Sequence, residues 1–188
     1  MTGDLGFARD DMMFGSLYLP DFSLQAALRH QPELQREPVA VLAGEEARAT
    51  IMQLTPRAAE MGVAAGMSPS QGLARCLRLT VKARAYEQEK IAGDILLHLA
   101  ATLSPEIEAT APGVCTVRFT TRKNCRENLE GVVRQLAELY LAAQAGLAAT
   151  PDLSFLAASL ARPVLEIDDP EKFLAPLPIE TLERLVFV

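Results

Sequence analysis

Apolar positions recur along this chain with two different periods, and the changes of period mark its elements. Ser16 to Leu19 is a short apolar run that reads as a buried strand, and it passes through Pro20 and Asp21 into a stretch with Leu24, Ala27 and Leu28 on one helical face. Pro38 to Leu42 predicts a second strand; Gly44 and the two glutamates after it predict a turn before the apolar Ala49 to Leu54. Thr55-Pro56 offers a side-chain cap followed by proline at the first helical position, and Gly62 stands where a helix ends, so a short helix is expected between them. Ser68 and Gln71 repeat the device at capping-box spacing around Pro69 and open a second short helix that reaches about Cys76.

Leu79 to Ala83 alternates as a strand, and from Tyr86 the positions Ile91, Ile95, Leu99 and Leu103 recur at helical spacing, predicting a long amphipathic helix that buries this stripe. Glu106 to Thr110 and Cys115 to Thr120 flank Ala111-Pro112-Gly113 and predict an antiparallel hairpin. Leu129 to Ala145 has the period of another long helix, followed by a strand at Gly146 to Ala149. Thr150-Pro151 caps a helix through Leu160, Val164 to Ile167 is a last strand, Asp169-Pro170 opens a helical turn, and Pro178 begins a further helix. Two long helices interleaved with strands predict an α+β fold: a ferredoxin-like antiparallel or mixed sheet with both long helices on one face, and the small helical pair from Thr55 to Cys76 outside it.

With 188 residues, 49% of them hydrophobic, the chain can bury one core, or one core and a small lobe. No run is long and apolar enough for a membrane span, and Asp4, Arg9, Asp10 and Asp11 make the start too charged for a signal peptide, so a cytoplasmic protein with no membrane partner is expected. Cys76, Cys115 and Cys125 are odd in number and lack CxxC spacing, and His30 and His98 fall on different predicted helices; neither a disulfide framework nor a metal site is expected from them. The ending Leu185-Val186-Phe187-Val188 is apolar and abrupt and reads as that of a fragment of a longer protein. The net charge of -6 opposes binding to a polyanion, although Arg75, Arg78, Lys82 and Arg84 form a locally basic run that reads either as a DNA-binding surface or as a solvated face.

Leu17-Tyr18-Leu19-Pro20-Asp21-Phe22, Arg57 to Met67, Pro69 to Cys76, Gly146 to Pro163 and Phe173 to Ile179 are separate stretches. In order and spacing they resemble the Y-family (UmuC/DinB-like) DNA polymerases. The resemblance implies a palm from 16–21 and 78–175, fingers from 22–77 and the start of a thumb at 176–188, after an N-terminal extension at 1–15.

Such polymerases hold two divalent ions with three carboxylates. Aligned on Leu17 to Leu19, the aspartates of the family's first element fall on Pro20 and Phe22. Asp21 lies between them, where strand alternation points it away from the metal face. The Asp-Glu pair of the second element falls on Pro112 and Gly113. The fingers tyrosine and arginine that contact the triphosphate fall on Pro56 and Ala59, and the lysine of the late palm helix falls on Phe155. None of these side chains ligates a metal or neutralises a phosphate. The resemblance therefore implies no catalytic, nucleotide-binding or metal-binding residue and no cofactor.

Magnesium is expected only if Asp21 and one of Glu106 or Glu108 form an unconventional site. The bare residues read as a turn or N-cap at Asp21 and a solvated face at Glu106 and Glu108. A polymerase-like chain without its acidic triad resembles the ImuB class of bacterial mutagenesis proteins. That class implies a noncatalytic adaptor of an SOS-inducible translesion complex, whose partners are a C-family polymerase, a RecA-like accessory protein and the sliding clamp. Two alternatives stay open: an active DNA-directed DNA polymerase, and a module that only holds primer-template DNA through Arg75, Arg78 and Arg84.

Overall fold

The computed structural model describes residues 12–44 and 48–181. The glutamates after Gly44, most of the N-terminal extension and the apolar ending lie outside the described residues. In chain order the elements are β1 (Met13–Tyr18), α1 (Phe22–Leu28), a short 3-10 helix (Pro32–Arg36), β2 (Val39–Ala43), β3 (Thr50–Leu54), α2 (Pro56–Glu60), α3 (Pro69–Arg75), β4 (Thr80–Ala83), α4 (Tyr86–Ala101), β5 (Ile107–Ala111), β6 (Val114–Phe119), α5 (Cys125–Glu138), β7 (Gln144–Ala148), α6 (Pro151–Leu160), β8 (Val164–Glu166) and α7 (Pro170–Leu174). They form an α+β fold in two units: among the described residues, 12–18, 96–135 and 143–181 are in the first, and 19–44, 48–95 and 136–142 in the second.

The first unit is built on a five-stranded sheet in the order β5-β6-β1-β7-β8, antiparallel except for the parallel β7–β8 pair. Adjacent residues of β1 face opposite ways. A Cβ on Gly15 would lie 3.2 Å from Leu129 of α5, whereas the Ser16 hydroxyl is 2.7 Å from that of Ser154 on α6. Helices α5 and α6 thus cover opposite faces of the sheet. Thr150 caps α6 by accepting from the Leu153 amide, as the Thr-Pro pair predicts.

The second unit has its own sheet in the order β3-β2-β4, with β2 antiparallel to β3 and parallel to β4. The strand predicted at Leu79 to Ala83, placed in the palm by the resemblance, therefore extends this sheet rather than the larger one. Val39 and Val41 pack with Leu24 and Leu28 of α1, and the intervening Ala40 with Ile51, Ala58 and Leu79, so β2 is buried on both faces. Both predicted caps form: the Thr55 side chain accepts from the Ala58 amide, and Ser68 and Gln71 make a complete capping box. Thr55 is buried and its hydroxyl also donates to the Glu37 carbonyl at 2.7 Å while accepting from the Val39 amide at 3.0 Å. Thr55→Ala is expected to cost about 2 to 3 kcal/mol in urea unfolding, because it orphans buried backbone groups as well as a cap; Thr55→Ser should recover most of it.

Two details depart from the sequence reading. Helix α4 buries Glu89, Ala92, Leu96 and Ala100, while Ile91 is 42% exposed, so the core face is one residue out of step with the predicted stripe. Helix α5 ends at Glu138 instead of running to Ala145. Tyr140 adopts φ 60 there, and the Leu141 amide reaches back to the Leu136 carbonyl at 2.9 Å, closing the helix with a Schellman turn.

Candidate functional site

The positions singled out in the sequence fall into both units, and each set is described within its own. The second unit begins just after β1, which stops one residue short of the predicted end at Leu19. Pro20 has no amide hydrogen to continue a ladder, so β1 stops at Tyr18 and Pro20-Asp21 form a turn. Asp21 is consequently not on a strand face. It precedes α1 with φ 48, ψ 46, and its side chain makes no cap hydrogen bond. The turn is held by Gln25, whose amide donates to the Pro20 carbonyl at 2.6 Å and to the Ala142 carbonyl at 3.0 Å while accepting from the Ala142 amide at 2.7 Å. Nothing in the sequence around Gln25 announces this role. Phe22 is buried at the start of α1.

A cleft of about 310 Å³ opens beside this turn and gathers Pro20, Asp21 and Pro56, together with Leu24, Leu28 and Gln35. Three of the expected metal and triphosphate positions, or their immediate neighbour, thus share one cavity, and no lysine, arginine or histidine lines it. Its one ionisable group is Asp21, whose carboxyl is pushed above the ordinary carboxylate range by partial burial. Ala59, exposed on α2, is not part of the lining.

In the first unit Pro112-Gly113 form the two-residue connection of the β5–β6 hairpin, with Gly113 at φ 75. Proline followed by a residue of positive φ is the pattern of a type II turn, and a glutamate at 113 would be strained there. Val114, the next residue, pairs with Tyr18, and the Tyr18 ring meets Phe155 edge-on at 5.6 Å with an interplanar angle of 79°. The position implied to carry a phosphate-binding lysine is therefore a buried aromatic packed on the last residue of β1.

Two magnesium ions need several oxygen ligands. Pro20, Phe22, Pro112 and Gly113 supply no side-chain oxygen, and among the described residues no three His, Cys, Asp or Glu side chains gather in a way that could hold a metal ion. Glu106 is taken by Arg118 at 2.8 Å. The residues present do not fit the group. The cysteines are free and buried, and burial pushes the Cys115 thiol up to about 11, which leaves it unsuited to nucleophilic work at neutral pH.

The members of the basic run are engaged differently. Arg84 grips Glu89 through two bonds of 2.8 Å and lies 4.7 Å over the Tyr86 ring, and Lys82 donates to Gln31 at 2.7 Å. Arg78 instead lines a separate cleft with Arg36 and Arg57, two residues that the reading of the sequence left out.

Residues 17–159 match the impB/mucB/samB family. The chain belongs to that family. No curated protein matches its sequence. Among solved structures, the insertion ternary complex of Dbh DNA polymerase aligns over 90% of this chain and 53% of its own, with a TM-score of 0.77 at 16% identity. DinB from Sulfolobus solfataricus aligns over 90% and 52%, with a TM-score of 0.78 at 16% identity. The chain spans about half the length of these polymerases, and at such identity the likeness establishes the fold: that of the palm and fingers of a Y-family polymerase. Among the described residues no helix is long and apolar enough to cross a membrane.

Proposed function

We propose that this family member is a noncatalytic, polymerase-like component of a DNA-damage-tolerance complex, of the ImuB type, acting as an adaptor for a translesion polymerase and the sliding clamp. The observation that carries this reading is the cleft at Pro20, Asp21 and Pro56. A triphosphate with its metals requires carboxylates to hold the ions and cations to take the remaining charge. This cleft offers one carboxyl, itself shifted toward its neutral form, among apolar and neutral polar side chains, and no cation. The first unit supports the same reading independently, with a positive-φ glycine at the second carboxylate position and a buried phenylalanine at the lysine position. A polymerase fold whose ligand positions are apolar is suited to serve as a surface for other proteins, and the partners this reading proposes are the clamp, a translesion polymerase and a RecA-like accessory protein.

Isothermal titration calorimetry of the chain with a deoxynucleoside triphosphate and magnesium is expected to show no saturable heat up to millimolar ligand. Tight nucleotide binding that disappears on chelating the metal would overturn the proposal.

A further inference from the structure

The second unit carries a cleft unlike the one at Asp21. It is about 290 Å³ in volume, lies where the 3-10 helix, the start of β2, α2 and the segment before β4 come together, and is lined by Arg36, Arg57 and Arg78 with Glu37, Pro38 and Met61. Three arginines from three separate stretches of sequence line one cavity in a chain whose net charge is -6. Among the described residues, no side-chain hydrogen bond or ion pair engages Arg36 or Arg78. Arg57 pairs with Glu60 at 2.9 Å, but both side chains are more than half exposed, and such an i,i+3 pair yields readily to a stronger anion. Like charges gathered without enough counter-charge repel one another, and Glu37 alone among the lining residues offsets the three.

We propose that this cleft binds a phosphate group of single-stranded nucleic acid, with Arg36, Arg57 and Arg78 as the ligands of the phosphate. Guanidinium forks match the geometry of phosphate oxygens and hold them by paired, charge-assisted hydrogen bonds. Pro38 and Met61 are the only apolar members of the lining, so the occupant is a small oxyanion rather than an apolar group. What favours a polymer over a lone phosphate is the chain beside the cleft. Arg75 ends α3 three residues before Arg78 and is exposed outside the cavity, and Leu77 between them is 91% exposed. A second cation and a free apolar side chain offer contacts to the next phosphate and to a base. An isolated anion cannot use them. The site is separate from the cleft at Asp21, so it stands whether or not the proposed adaptor role is right.

Fluorescence anisotropy with a labelled oligothymidylate about twelve nucleotides long tests the site. The wild-type chain is expected to bind with an affinity that falls with salt at a log–log slope of about -1.4, about 0.7 each for the phosphate in the cleft and for the next one at Arg75. Arg36→Ala/Arg78→Ala is expected to weaken binding about tenfold or more and to flatten the slope by about 0.7, the share of the one phosphate those arginines hold. Arg126→Ala, which removes an exposed arginine of the other unit paired with Glu130, should change neither. These are surface positions, and unchanged thermal melting of the variants confirms that the fold is intact. Equal affinity and slope for the wild type and the double variant would overturn the site. Competition by inorganic phosphate or a phosphoserine peptide as strong, per phosphate, as competition by unlabelled oligonucleotide would overturn nucleic acid as its occupant.

Discussion

Gly146→Val is expected to prevent the five-stranded unit from folding. Gly146 lies in β7, between β1 and β8, directly beneath α6. A Cβ there would overlap the Ser154 carbonyl oxygen and the Ala158 amide nitrogen and come within 2.7 Å of the Ala157 Cβ. Two of those three atoms belong to the helix backbone, so no side-chain rotation relieves the clash. The helix must lift off the sheet, and with it goes the packing of Ala148, Ala157 and Ile167. Overpacking against movable side chains costs about 1 to 3 kcal/mol. Against backbone the cost should exceed about 4 kcal/mol, a large share of the ~5 to 15 kcal/mol that keeps a domain folded. Gly93→Ala is the internal comparison: it lies within α4 with no outside atom within 4 Å of a Cβ, and alanine should stabilise the helix by up to about 1 kcal/mol. Circular dichroism and urea unfolding measure both variants. A soluble Gly146→Val chain that unfolds cooperatively at the wild-type midpoint would show that α6 does not lie this close to β7.

Features with a local cause were legible in the sequence, and those set by distant segments were not. Gly62 and Tyr140 close their helices with the same Schellman turn: Val63 reaches back to Ala58, and Leu141 to Leu136. The first was legible because glycine announces a left-handed residue, and the second was not, because tyrosine adopts φ 60 only under the pull of its surroundings. The caps at Thr55, Ser68 and Thr150 were legible for the same local reason. The pairing of β4 with β2 depends on contacts between distant segments, and so does the face of α4 that turns inward. That proline, phenylalanine and glycine carry no side-chain metal ligand follows from residue identity wherever they lie. What the chain order could not show is that Pro20, Asp21 and Pro56 line one cavity, or that Arg36, Arg57 and Arg78 line another.

Arg84→Ala is expected to destabilise the chain by about 2 to 3 kcal/mol at neutral pH, less than the loss of a fully buried partner because Arg84 is itself 30% exposed. Glu89 is the acid at stake, with only 8% of its side chain exposed. Burial pushes its carboxyl up, but the two hydrogen bonds from Arg84 and one from Ser23 outweigh that, and the carboxyl sits below the ordinary range. A carboxyl whose folded value is depressed adds stability that is complete above its unfolded value of about 4.3 and is lost as the pH falls through the folded value. Without Arg84 the burial effect dominates, and the sign reverses: the buried charge destabilises the variant at neutral pH, and protonation relieves it as the pH falls. The gap between wild type and Arg84→Ala in urea unfolding should therefore narrow from pH 7 toward pH 4. Adding Glu89→Gln to Arg84→Ala should restore much of the loss, because a neutral amide tolerates the site without a counter-ion. Arg84→Lys should restore less, since an ammonium cannot reproduce the forked contact or the stacking on Tyr86. A gap that stays constant across that pH range would mean that Arg84 acts through packing on Tyr86 and not through the charge of Glu89.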